Sequence, residues 1–247
     1  MNKQVVDFFS NNSNVCDRLA KGYSRQLFES IQKTNCNIEN IFELLFQLNP
    51  NTKSYARISK RLRTFEGVIK SGVSKQKQPL LQILFRTCFV SETFKGSEKV
   101  FDEETISYTR LDAQLKHNSI LFTAQRVFFS LHAIQRLIQR SNLNFRKPRA
   151  LEQALNAEGL VCLAALKDDS YFGSETNSYV RSKNFLGAWP TEVTMSHFDA
   201  GWPRTPGEDQ RKFQTLSVRS FISPDEMTPQ VYLLWKNDPR FSFLQSV

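Results

Sequence analysis

The stretch Val127-Phe128-Phe129-Ser130-Leu131-His132-Ala133-Ile134-Gln135-Arg136-Leu137-Ile138-Gln139-Arg140 changes its hydrophobic period in the middle, and the fold class turns on that change. Val127, Phe128 and Phe129 suit a pleated, half-buried strand, and Ser130 is placed to cap a following helix by accepting from an exposed amide. Beyond Ser130, the residues Ala133, Ile134, Leu137 and Ile138 repeat at the three-and-four spacing of a buried helical stripe. His132, Arg136 and Arg140, at i, i+4 and i+8, fall on the opposite face. A strand handing directly to an amphipathic helix predicts an α+β protein.

That polar face carries a proton carrier and two permanent cations. His132 falls in the first helical turn, where the helix dipole and Arg136 both disfavour the imidazolium. A neutral imidazole near pH 7 can act as a general base, and the guanidinium groups of Arg136 and Arg140 match phosphate oxygens. The plain alternative is a solvated helix face bearing an ordinary surface histidine.

The string Phe129 to Arg140 resembles the entry helix of bacterial proteins related to RelE-type ribonuclease toxins, within the barnase, EndoU, colicin and RelE superfamily of metal-independent RNases. The resemblance spans roughly residues 118–235 and does not extend to the first 110. It implies a helical segment before a small antiparallel sheet that cradles RNA, with His132 as base and Arg136 and Arg140 on the phosphate. A hydroxyl residue commonly lies on a late strand in such proteins, and Ser220 is the matching position. No cofactor and no metal are implied. A neutralising protein encoded alongside is an expected partner.

The composition sets bounds of its own. The chain has 247 residues, 40% of them apolar, and its 21 Phe against 3 Met predict ring-packed cores. No apolar run reaches membrane-spanning length, and Met1-Asn2-Lys3-Gln4 does not open a signal sequence, so a soluble cytoplasmic protein without a membrane partner is expected. Cys16, Cys36, Cys88 and Cys162 are scattered, with no Cys-x-x-Cys pair and no histidine at ligand spacing, and read as reduced thiols.

The net charge of +9 sits almost wholly in residues 53–86, where nine Lys and Arg face the single acid Glu66. A polyanion is the natural partner, RNA more than DNA given the resemblance, and Lys53, Arg57, Lys60, Arg61, Arg63 and Lys70 are the candidate nucleic-acid contacts. Nothing here resembles a base-reading recognition helix.

Read in order, residues 1–95 predict a basic helical bundle. Its helices follow Ser13 or Asn14, run over Ile38 to Leu48, follow a cap at Thr52, and open at Pro79 through Leu80, Leu81, Leu84, Phe85 and Cys88. Residues 96–117, with Asp102, Glu103 and Glu104, read as a polar linker with solvated carboxylates. Residues 118–247 read as an RNase-like α+β domain, with a small antiparallel sheet packed with helices. Its strands are expected around 120–122, 127–129, 186–193 and 213–223, a helix over 150–165, a polar loop or frayed hairpin over 167–183, and a closing helix over 229–235. A loop over 196–210 holds His197 and Trp202. On the last strand Arg219 and Ser220 alternate, giving a candidate phosphate ligand and a candidate hydroxyl donor.

The leading expectation is a metal-independent, toxin-like endoribonuclease. Its rivals are a non-catalytic nucleic-acid-binding accessory protein of a mobile-element or phage-defence system, and an all-helical HEPN ribonuclease, whose loose Arg-to-His spacing Arg126-x5-His132 fits. A metal nuclease fits less well, because no Glu-x-Lys follows Pro224-Asp225.

Overall fold

Ser130 ends one strand and starts one helix: its side chain accepts from the Ala133 amide at 3.1 Å, the cap expected of it. The computed structural model describes residues 3–74, 78–95, 98–117, 119–141, 148–167, 177–183, 187–197, 202 and 212–237. The chain runs α1 (Lys3–Lys33), α2 (Ile38–Leu45), α3 (Thr52–Leu62), β1 (Val68–Ser74), β2 (Leu80–Lys95), β3 (Glu98–Lys116) and β4 (Ser119–Ser130). It continues through α4 (Leu131–Arg140), α5 (Pro148–Lys167), β5 (Asn177–Arg181), β6 (Ala188–His197), β7 (Lys212–Val218), a short 3-10 turn (Pro224–Glu226) and α6 (Pro229–Asn237).

The seven strands form one sheet in the order β1-β2-β3-β4-β7-β6-β5. Every neighbouring pair is antiparallel except β4 and β7, whose parallel pairing requires the long return through α4, α5 and the β5-β6 hairpin. The α+β class therefore holds. Among the described residues no helix is long and apolar enough to cross a membrane.

Two element assignments are corrected. The helix expected from Pro79 is strand β2, and the polar passage after residue 96 contains the inner strand β3. The sheet thus runs straight through the stretch read as a linker, and the helices of residues 1–95 are α1, α2 and α3, which pack on opposite faces of the sheet, α1 on one and α2 and α3 on the other, rather than as a bundle. The physical reason is double-sided burial. Leu81, Ile83 and Phe85 of β2 pack under α2 and α3 on one face, while Leu84 and Cys88 pack on the other. A strand buried on both faces shows a continuous apolar run that periodicity cannot separate from a helix. In β3 the apolar parity switches midway, from Ile106 and Tyr108 on one face to Leu111 and Ala113 on the other, which hides the alternation.

That switch records how the two faces are covered. One face lies under α1, α4 and α5 around Val127, Phe129, Leu216 and Val218. The other lies under α2, α3 and Trp202 only at the end holding Leu111, Ala113, Ala124 and Phe213. Its remaining part, where apolar residues give way to Thr105, Ser107 and Thr109, stays polar.

Smaller differences follow the same logic. Asn37 and Asn51, rather than Thr52, cap α2 and α3 by accepting from Asn40 and Lys53 amides at 3.3 and 2.9 Å. Helix α1 begins well before the expected caps, and β7 stops at Val218, short of Arg219 and Ser220. Residues 120–130 form one strand without the expected break, and β5 falls in the latter part of the expected 167–183 loop. Of the 196–210 loop, residues 198–201 and 203–210 lie outside the described residues, as does the side chain of His197.

Candidate functional site

Cross-strand partners share a face of a sheet, so the registers Thr87↔Ser107↔Phe128↔Ser217 and Thr109↔Arg126↔Thr215 lay two rows of mostly polar side chains across β2, β3, β4 and β7. Of these, Thr87, Phe128, Ser217 and Arg126 line an open groove of about 1200 Å³, while Ser107, Thr109 and Thr215 are buried. Its floor includes Thr87, whose hydroxyl lies 2.6 Å from that of Ser107, together with Arg126, Phe128 and Ser217. One wall is residues 35–39, which lead into α2; Phe89 and Glu103 of the β2-β3 hairpin form another side, and Ser196 and Arg219 the far rim.

The wall at residues 35–39 is held by side-chain mimicry of a strand. The Asn35 amide donates to the Cys88 carbonyl at 3.2 Å, and its oxygen accepts from the Cys88 amide at 2.9 Å. Gly67 lies against the same segment, with φ +75°, and a Cβ there would stand 2.6 Å from the Cys36 Cβ. A side chain at that position is excluded by both space and backbone.

Arg126 is the buried charge of the floor, 3% exposed. Its Nε donates to Thr109 Oγ1 at 3.2 Å, and its guanidinium lies 4.8, 5.6 and 5.8 Å from the ring centres of Phe213, Phe128 and Trp202. Arginine stacks readily on aromatic faces, which fixes the plane of the fork.

His132 stands at the groove edge in the first turn of α4, exposed. Partial burial is the main cause holding its imidazole below the ordinary value, Arg136 and Arg140 add to this, and Glu103 opposes it. The ring is accordingly neutral at pH 7 and able to accept a proton.

The other expected site residues part company. Arg219 lines the groove, exposed, and pairs with Glu192. Arg136 does not line it: it donates to Gln139 Oε1 at 3.1 Å, and Gln139 donates in turn to Asp17 Oδ1 on α1 at 2.8 Å. Arg140 points elsewhere, donating to the Phe221 carbonyl and pairing with Glu226 at 2.9 Å. The ridge of His132, Arg136 and Arg140 is therefore continuous on the helix but divided in its contacts. Ser220 sits half-buried past the end of β7, outside the groove lining. Pro224-Asp225 belongs to the turn in which Ser223 donates to Glu226 at 2.9 Å.

Lys53, Arg57, Lys60, Arg61, Arg63 and Lys70 are all exposed, on α3, just beyond it and on β1. Arg61 donates to Gln47 and Arg63 to the Ser71 carbonyl, and none forms an ion pair with an acid among the described residues.

Sequence reasoning passed over two groove residues. Glu103 was expected to be a solvated carboxylate. Arg126 entered only through its spacing to His132, although a cation at the same strand parity as Ala124 and Phe128 is itself a signal of a buried charge. Among the described residues no three His, Cys, Asp or Glu side chains gather as a metal site, and the four cysteines are free. No family model matches the chain, and neither a curated protein nor a solved structure matches it.

Proposed function

We propose that the groove binds RNA and that the protein is a metal-independent endoribonuclease. The observation that carries this reading is one open groove lined by an imidazole, a buried guanidinium and an exposed one: His132, Arg126 and Arg219. In this scheme His132 takes the proton of a ribose 2′-hydroxyl. The 2′-oxygen forms a bond to phosphorus, the bond from phosphorus to the 5′-oxygen breaks, and the departing oxygen takes a proton from water. The products are a 2′,3′-cyclic phosphate and a free 5′-hydroxyl end. Arg126 and Arg219 bind the phosphate and stabilise the charge that builds on it. Arg136 acts on His132 through its charge, and Arg140 anchors α4 to the 221–226 segment.

DNA lacks the nucleophile that this scheme requires. Incubating the protein with labelled RNA and with DNA of the same sequence, in EDTA, tests the class: RNA alone should be cut, and intact RNA or cut DNA would reject it. The non-catalytic reading keeps one observation in its favour, the six exposed cations around α3, and predicts binding of both polymers without cleavage. The seven-stranded sheet is incompatible with an all-helical HEPN architecture.

A further inference from the structure

We infer that the basic end of α3 and the groove form one continuous track for a polynucleotide, so that α3 acts as an exosite. This inference rests on the reading that the groove takes RNA, and it names the form of the substrate: a chain long enough to occupy both places. Three observations join them. Lys60, Arg61 and Arg63 stand exposed at the C-terminal end of α3, with no acid paired to them among the described residues.

Second, that end of α3 lies close to the groove wall. Arg63 is four residues from Gly67, at most about 14 Å of extended chain. The intervening residues are also folded back by bonds from the Phe65 amide to the Leu62 carbonyl and from the Val68 amide to the Phe65 carbonyl. Gly67 in turn abuts Cys36, which lines the groove. Third, α2, α3 and the groove occupy the same face of the sheet, so a strand leaving the groove over residues 35–39 stays on the side where the cations are. Fixed positive charge at that exit fits a phosphate backbone, whose binding releases counterions and is steeply salt-dependent.

The test is binding, which does not need cleavage. Fluorescence anisotropy would compare 2′-O-methyl RNA, which lacks the nucleophile, at about thirty and about four nucleotides in 50 mM salt. The proteins compared are wild type, K60E/R61E/R63E, and R18E/K21E/R25E, a charge-matched control in exposed residues of α1 on the other face. The neutral K60Q/R61Q/R63Q and a circular dichroism melt guard against misfolding.

The expected result is tighter binding of the long RNA by wild type, lost by about tenfold or more in the α3 variants but not in the α1 control, with the salt slope reduced by about 2 for three contacts. Equal affinity of wild type and the α3 variants for the long RNA, or an equal loss in the α1 control, overturns the exosite. Length-dependent binding by a protein that never cuts RNA would instead reject the ribonuclease and leave the exosite standing.

Discussion

Glu158, on α5, is a carboxyl group 4% exposed that accepts from the Trp189 indole at 2.8 Å and, through both oxygens, from the Lys183 amide at 3.1 Å. Burial pushes its pKa up to about 7 against these bonds and the Lys183 charge. Its folded value lies above its unfolded one, so folding favours the protonated form. The associated stability is complete below about pH 4.5 and is lost as the pH rises towards 7. Replacing Glu158 by Gln should flatten that part of the pH dependence, by roughly 1–3 kcal/mol between pH 4.5 and 8 in denaturant titrations. Parallel curves for the two proteins would mean that Glu158 does not titrate there. His132 makes a prediction of opposite sense. Its imidazole is held below the ordinary value of 6.5, so RNA cleavage should rise with pH and pass half of its plateau below 6.5. A rate still climbing at pH 7.5 would assign the base to another group.

At the scale of elements, the junction from β4 to α4 was legible because each half keeps its own period and Ser130 marks the change. The strands β2 and β3 were not, because their apolar residues serve two different layers. The same property hid the site: the polar residues Thr105, Ser107 and Thr109 look like a solvated passage until β2 and β4 pair on either side of them. The ridge on α4 was legible as a helix face, but its partners were not, since Asp17 and Glu226 lie far away in sequence. Arg140 therefore belongs to packing. Arg140→Gln should cost about 1 kcal/mol of stability, the worth of one partly exposed ion pair and a carbonyl bond, while changing RNA affinity less than twofold. A loss of binding greater than the loss of stability would return Arg140 to the phosphate.

Across the whole molecule, the cations of α3 and the groove lie on one face of the sheet, and the opposite face is given to α1, α4 and α5. His132 stands where the two sides meet, at the end of β4 and the start of α4, so its ring reaches the groove while its helix is anchored in the core through Ala133, Ile134 and Leu137. The charge asymmetry was readable from composition alone. The groove was not, because it is assembled from β2, β3, β4, β6 and β7, segments more than a hundred residues apart. In the proposed scheme His132 accepts the substrate proton in that groove. This role is tested most directly by the rate of RNA cleavage in EDTA by His132→Ala, measured beside its melting temperature. The expected result is a rate lower by about 10²–10⁴-fold, with stability changed by roughly 0.5 kcal/mol or less because the side chain is exposed. Cleavage at the wild-type rate by the His132→Ala protein would contradict it.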